Sequence, residues 1–352
     1  MRLAFAPYLL KFNFPGGTSR GVLTEKPTFL IKVFDEHDPG HFGIGEAGVF
    51  PGLSPEADGN YVNKLLQLMA NVALGRPTDL SHHPSIQAGF EQAIRDYTGG
   101  CRGIYYPTPF SAGQDSITIN GLIWMGEFAE MERRIEEKLN AGFRCLKVKI
   151  GAIAWDKETE LIKAVRSTYG KDRLTIRVDA NGAFGKDDAL GKLEELARLD
   201  VESIEQPVRA GNTSLMARLC RETPLPIALD EELIGKFSED DKRAMLDAIM
   251  PQYIILKPSL IGGFSGAEEW IALARERNIG WWVTSALESN VGLNAIAQWT
   301  STLLHDMPQG LGTGGVFSNN FSSRLHLDGE RLRLNPDKED DRHQYDSLHW
   351  HQ

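Results

Sequence analysis

Five charged residues, Lys149, Asp179, Glu205, Asp230 and Lys257, each close or nearly close a short apolar run, and they recur 30, 26, 25 and 27 residues apart. Acids and lysines often flank strands simply to meet water. Five at nearly constant spacing carry more information, because that spacing is close to one strand-helix unit. In a barrel of such units the carboxyl ends of the strands share one mouth, and the five side chains gather there. Three carboxylates held together repel one another unless a cation stands between them. A hard divalent ion suits oxygen-only ligands, and the same donor set disfavours zinc.

The elements that must position these residues can be read from periodicity. The runs at 145–150, 174–179, 201–205, 226–230 and 253–257 have strand length, and segments of helical period separate them at 157–169, 187–199, 215–222 and 239–249. Strand and helix in alternation imply a parallel sheet with right-handed crossovers. Ahead of this block the pattern predicts a first barrel strand at 117–120 and a helix at 126–140. Behind it come a helix at 265–277, a strand at 280–284, a helix at 291–304 and a last strand at 310–313. With no helix after the eighth strand, the fold class is α/β, a (β/α)7β modified TIM barrel spanning residues 106–315.

The first 105 residues read differently. Strands at 2–14, 28–34 and 43–47, a mobile loop at 15–20, and helices at 61–74 and 84–97 make a small α+β domain. Residues 316–352 alternate Leu325, Leu327, Leu332 and Leu334 with polar residues about Gly329, as in a hairpin that returns to that first domain.

Composition narrows the function classes. With 352 residues, 41% hydrophobic and 24% charged, there is ample core for one large and one small domain. A formal net charge of −10 argues against nucleic acid or an anionic membrane as partner. No apolar stretch has the length of a bilayer span, and Pro7 interrupts the apolar start without a cleavage site after it. Cys101, Cys145 and Cys220 lack metal-ligand spacing and suit reduced residues of a cytoplasmic protein. The glycine pairs at 262–263 and 312–315 lack a phosphate-binding lysine or dinucleotide fingerprint, and Trp281 and Trp282 read as barrel core.

The charged positions also resemble, in order, those of the enolase superfamily, in its muconate lactonizing enzyme-like branch. Lys147 and Lys149 resemble the Lys-x-Lys of the second barrel strand, Asp179 and Asn181 the Asp-x-Asn of the third, and Glu205 the glutamate of the fourth. Asp230 with Glu231, and Lys257, complete the set. The resemblance spans nearly the whole chain, since the family also carries an N-terminal capping domain completed by the C-terminal tail. It implies Mg2+, with Mn2+ as a substitute, held by Asp179, Glu205 and Asp230. It implies Lys149 as general base, with Lys147 and the metal favouring its neutral form, and Lys257 as a second acid or base or a fixed charge on an enolate. Asn181 and Glu231 would support the site from behind.

Loops at 284–290 and 310–313 resemble those of the superfamily's o-succinylbenzoate-forming members, which bring in Ser285 and Glu288, and Arg177 fits them too. An arginine paired inside the barrel is the competing reading of Arg177. The expectation is therefore a carbon-oxygen lyase acting on a small carboxylate: syn dehydration of a cyclohexadiene acid to o-succinylbenzoate in menaquinone biosynthesis. The alternative is an N-acylamino acid racemase or dipeptide epimerase. For the latter, the glycines and threonine at 312–315 stand where a pair of acids would hold a substrate ammonium. The loops at 15–20 and 50–55 are expected to close over the mouth.

Overall fold

In the computed structural model, which describes residues 1–18, 21–303 and 306–352, an antiparallel sheet stands against a curled parallel one. Strands β1 (Arg2–Thr18), β2 (Gly21–Asp35) and β3 (Asp38–Ala47) pair in that order, and helices α1 (Tyr61–Ala73) and α2 (Pro84–Thr98) follow. Two glycines set how close the second helix comes. A Cβ on Gly43 would lie 2.2 Å from the Ala93 carbonyl oxygen, and one on Gly45 would lie 2.1 Å from that of Gly89.

The β1–β2 hairpin extends further than the expected 15–20 loop allows. Gly16, Gly17 and Thr18 pair with Leu23, Val22 and Gly21 after a register shift beyond Lys11, so strand pairing continues to the tip. Positions 19 and 20 of that expected loop lie outside the described residues.

The first parallel strand also falls later than expected. Residues 117–118 form β4 (Ile117–Thr118), which joins the tail, whereas β5 (Gly121–Ile123) opens the barrel. Its neighbours are β6 (Cys145–Lys149), β7 (Thr175–Asp179), β8 (Ser203–Glu205), β9 (Ile227–Leu229), β10 (Tyr253–Leu256) and β11 (Gly280–Val283), hydrogen-bonded in sequence order. Helices α3 (Phe128–Asn140), α4 (Trp155–Thr168), α5 (Ala189–Arg198), α6 (Thr213–Glu222) and α7 (Glu239–Ile249) fill the crossovers. They are followed by the short α8 (Pro258–Ile261), by α9 (Gly263–Glu276) and by α10 (Asn290–Thr300).

The eighth strand shrinks to a seam. Gln309 bridges to Ile119 at one edge of the sheet and Gly310 to Thr284 at the other, both in parallel sense. The Gly310 N–H donates to the Val283 carbonyl at 2.8 Å, and the Gln309 side-chain oxygen accepts the Val283 N–H at 2.7 Å. Two residues close the ring because an amide side chain takes up a backbone donor that a longer strand would satisfy.

The tail divides. Strands β12 (Leu325–Asp328) and β13 (Arg331–Leu334) turn at Gly329, and β13 pairs with β4 instead of returning to the antiparallel sheet. Leu332 and Leu334 are buried in the barrel core, and Glu330 accepts the Arg144 backbone N–H and guanidinium. The residues on either side of the hairpin reach the first sheet: before it Phe317 bridges to Phe12 and the Ser318 N–H donates to the Lys11 carbonyl at 2.8 Å, and after it Arg342 pairs with Asp96 at 2.8 Å, Tyr345 packs with Phe34 and Phe42, and His351 bridges to Phe5. Among the described residues no helix is long and apolar enough to cross a membrane. The three cysteines are free, with Cys145 and Cys220 buried.

Candidate active site

Side chains alternate across a strand, and this decides which residues meet inside the barrel. The register sets Lys149 beside Asp179 and Asp179 beside Glu205, with Lys147 and Arg177 one layer deeper. The intervening Val148, Val178 and Ile204 point outward into the core shared with the helices. Asp230 and Lys257 directly follow β9 and β10. In a ring of eight positions β6 and β10 are diametrically opposed, so Lys149 and Lys257 face each other across the mouth.

All three acids are buried, Asp179 at 0%, Glu205 at 2% and Asp230 at 3% exposure. Lys147 Nζ lies 3.0 Å from Asp179 Oδ2 and 2.5 Å from Glu205 Oε2. Lys149 Nζ stands 3.0 Å from the same Asp179 oxygen and donates to Asn181 Oδ1 at 2.8 Å. On the other side Lys257 pairs with Asp230 and lies 3.7 Å from Glu205 Oε1. Lys147 therefore presents a countered charge to Lys149, not a bare one.

Burial works against every charge here, and position decides which keep it. Desolvation would raise Asp179, but Lys147 and Lys149 outweigh it and hold the carboxyl far below its usual range. Burial together with the negative charge of Asp179 pushes Glu205 up to about 7. For Lys257 and Lys147 desolvation favours the neutral amine. The carboxylates overcome it and hold both above the ordinary lysine value, through Asp230 and Glu205 for Lys257 and through Asp179 and Glu205 for Lys147.

Two strained turns follow the acids. Asn181 has φ 44° and Gln206 has φ 41°, left-handed conformations that cost a non-glycine residue about 1–3 kcal/mol each. The strain is offset by specific contacts. The Asn181 N–H donates to Asp179 Oδ1 at 3.0 Å, and Gln206 Oε1 accepts the Asp230 N–H at 3.2 Å. Asn181 also donates to Glu231 at 3.4 Å, which places Glu231 behind it.

A chamber of about 740 Å3, counting its open mouth, lies over Lys147, Lys149, Asp179 and Lys257. Leu23, Phe50 and Leu53 reach into it from the antiparallel-sheet side, and Trp124 from the barrel, its ring 5.8 Å from Lys149 Nζ. Ser285 lines the chamber with its hydroxyl 2.7 Å from that of Thr313.

Two expected contacts lie elsewhere. Arg177 is 2% exposed, donates to Glu202 at 3.2 Å and to the Pro308 carbonyl at 2.9 Å, and stacks over Trp282 at 4.1 Å. It is the paired interior arginine, drawn away from the mouth by Glu202. Glu288 is fully buried behind the wall formed by Ala286 and Leu287 and accepts the Ala286 N–H at 2.6 Å. Asn120 and Thr284 line the chamber with side-chain oxygens unpartnered among the described residues. Sequence reasoning passed over them because both lie in or beside expected strands, as it passed over Leu23 and Trp124, which resemble ordinary core.

Among the described residues no three acidic, histidine or cysteine side chains already converge as a closed cage for a metal; the carboxylates turn toward lysines. The donor set nevertheless fits a hard cation. It offers three buried carboxylates on consecutive strands, and Glu205 Oε1 has no hydrogen-bond partner among the described residues.

Residues 130–315, more than half of the chain, match the family model described as enolase C-terminal domain-like. The chain belongs to the enolase superfamily. An o-succinylbenzoate synthase of Desulfotalea psychrophila is 45% identical over 94% of this chain and 98% of its own. The crystal structure of MenC from the same organism superposes with a TM-score of 0.85 at 41% identity, covering 95% of this chain and 99% of that one. An N-succinylamino acid racemase of Thermus thermophilus is 30% identical over 80% of this chain and 77% of its own. Within the enolase superfamily, whose enzymes generally depend on a divalent metal, this chain is an enzyme similar over nearly its whole length to o-succinylbenzoate synthase.

Proposed function

We propose that this chain is a magnesium-dependent lyase of the cytoplasm that dehydrates 2-succinyl-6-hydroxy-2,4-cyclohexadiene-1-carboxylate to o-succinylbenzoate for menaquinone biosynthesis. The observation that carries the reading is the pair of facing lysines, Lys149 and Lys257, above three buried acids, in a chain so similar to an o-succinylbenzoate synthase.

Asp179, Glu205 and Asp230 would hold Mg2+, which when bound supplies positive charge for the carboxylate that becomes an enolate. Lys149 as the free amine takes the proton from the carbon bearing that carboxylate, and the bonding pair moves into the carboxylate. Lys149, now ammonium, returns the proton to the hydroxyl on the same face. The carbon-oxygen bond breaks, water leaves and the ring becomes aromatic. Asn181 fixes the Lys149 amine by its 2.8 Å contact. Lys257, held cationic by Asp230 and Glu205, places a fixed positive charge on the other face. Leu23, Phe50 and Leu53 keep water from the enolate.

Racemisation of an N-acylamino acid is the second reading, favoured by the same opposed lysines and by the Thermus thermophilus relative. A substrate with a free ammonium fits less well, because the carboxylate lining the chamber is Asp179, already engaged by two lysines. Incubation with the cyclohexadiene acid and Mg2+, followed by ultraviolet absorbance, should show an aromatic product. No aromatic product, with rapid deuterium exchange at the α carbon of an N-succinylamino acid, would move the assignment to the racemase.

A further inference from the structure

The strand positions around the barrel divide by charge. Asp179, Glu205 and Asp230 close three successive strands, with Lys149 on the strand before them and Lys257 on the strand after. The remaining arc is neutral. It consists of β11, the seam at 309–310 and β5, so the seam lies across the ring from Glu205.

Two buried polar side chains flank that seam. Ile119 bridges to Gln309 and Thr284 to Gly310, which sets Asn120 and Thr284 on either side of Gly310. Both line the chamber, Asn120 at 3% and Thr284 at 9% exposure, and neither Asn120 Oδ1 nor Thr284 Oγ1 has a hydrogen-bond partner among the described residues. Between them the wall is bare. Gly310 and Gly312 line the chamber while Leu311 is buried in the barrel core, and a Cβ on Gly310 would lie 2.3 Å from Thr284 Oγ1. Polar groups buried this far are normally hydrogen-bonded, so orphans beside a cavity point to the polar atoms of a ligand.

The candidate substrates carry such atoms. With the reacting carboxylate at the three acids and the reacting carbon between Lys149 and Lys257, under the lid of Leu23, Phe50 and Leu53, the rest of the molecule extends toward the seam. For the cyclohexadiene acid, and equally for an N-succinylamino acid, the rest includes a succinyl arm ending in a second carboxylate. The lysines lining the chamber are already engaged, Lys147 with Glu205, Lys149 with Asp179 and Lys257 with Asp230.

We propose that the arc of Asn120, Gly310, Gly312 and Thr284 is a succinyl subsite, in which the Thr284 hydroxyl and the Asn120 carboxamide donate to the terminal carboxylate of the arm. A half-turn of the carboxamide exchanges its oxygen for its N–H2 group, which supplies the second donor. The two glycines leave room for the methylenes. Hydrogen bonds to an ionised acceptor are the stronger kind, so two neutral donors suffice to select the arm. The subsite rests on the proposed function and serves its dehydration and racemase readings alike.

Titration calorimetry in Mg2+ tests it, with o-succinylbenzoate and with 2-butanoylbenzoate, which has a methyl in place of the terminal carboxylate. The parent should bind the first at least tenfold more tightly. Thr284→Val and Asn120→Leu should each weaken o-succinylbenzoate at least tenfold and leave 2-butanoylbenzoate within about threefold, while Thr284→Ser restores the parental affinity. Arg209→Gln, in the neighbouring cavity beside Gly182, should change neither. Unchanged o-succinylbenzoate affinity in both variants overturns the subsite, and so does an equal loss of both ligands, the mark of a merely structural role. A loss in Arg209→Gln instead places the arm in that cavity and overturns it too. Should Asn120→Leu fail to fold, Asn120→Asp keeps the shape and sets carboxylate against carboxylate, so undiminished affinity there is equally fatal. A parent that binds o-succinylbenzoate, with its variants unchanged, leaves dehydration standing without the subsite. A parent that ignores it but racemises N-succinylamino acids removes the dehydration reading, and the same contrast is then decided with N-succinyl against N-butanoyl amino acids.

Discussion

Lys149 and Lys257 approach the mouth from opposite sides, and a same-face elimination asks different things of each. Proton transfer by a positioned group contributes about 10²–10⁴-fold, so Lys149→Ala should lose dehydration by that factor or more in a steady-state assay. Lys257→Arg should retain more activity than Lys257→Ala if only its charge matters, and equal loss in both would indicate proton transfer from that side. Glu205→Gln removes one charge from the oxygen donors, so the Mg2+ concentration giving half activity should rise at least tenfold. Excess chelator should abolish turnover, and unchanged activity in chelator would defeat the metal assignment. Arg177 belongs to stability: Arg177→Met forfeits the stack on Trp282 and the contact with Glu202, about 2 kcal/mol, and should lower the melting temperature while kcat stays within a few-fold. The acids were legible in the sequence because each ends a strand at unit spacing. The surroundings of Arg177 and Glu288 were not, since Pro308 and Gly48 approach them only once the chain has folded.

At the scale of elements, period-two and period-3.6 patterns showed the alternation of strand and helix, because apolar faces must repeat where they are buried. The first and last barrel strands were the exceptions. Residues 117–118 pair with β13, and residues 309–310 hold the ring by single bridges; neither partnership has a local signature. The helix-sheet contact makes its own prediction. A methyl on Gly45 would meet the Gly89 carbonyl oxygen at 2.1 Å, and overpacking of this kind costs 1–3 kcal/mol or more. Gly45→Ala should therefore lower stability by about 3 kcal/mol in denaturant unfolding, whereas Gly191→Ala, where nothing lies within 4 Å, should not.

For the molecule as a whole, the sequence separated a small α+β unit from a barrel but assigned the tail too simply. Leucine alternation announces a hairpin returning to the first domain, whereas β4 receives it, with Leu332 and Leu334 buried in the barrel core. Removing residues 337–352 should leave the barrel hairpin and uncover Phe34 and Phe42, now packed against Tyr345. Increased binding of a hydrophobic dye, with the dehydration assay falling in step, is the expected result; a truncated protein that binds no more dye than the parent would contradict it. That same arrangement orders events during synthesis. Phe5 exchanges backbone hydrogen bonds with His351, at 3.1 and 2.8 Å, so the strand made first is completed by residues made almost last. At about 5–20 residues per second, the ribosome leaves that edge open for roughly 17 to 70 seconds, and the nascent chain must carry an unfinished sheet for nearly the whole of its own translation.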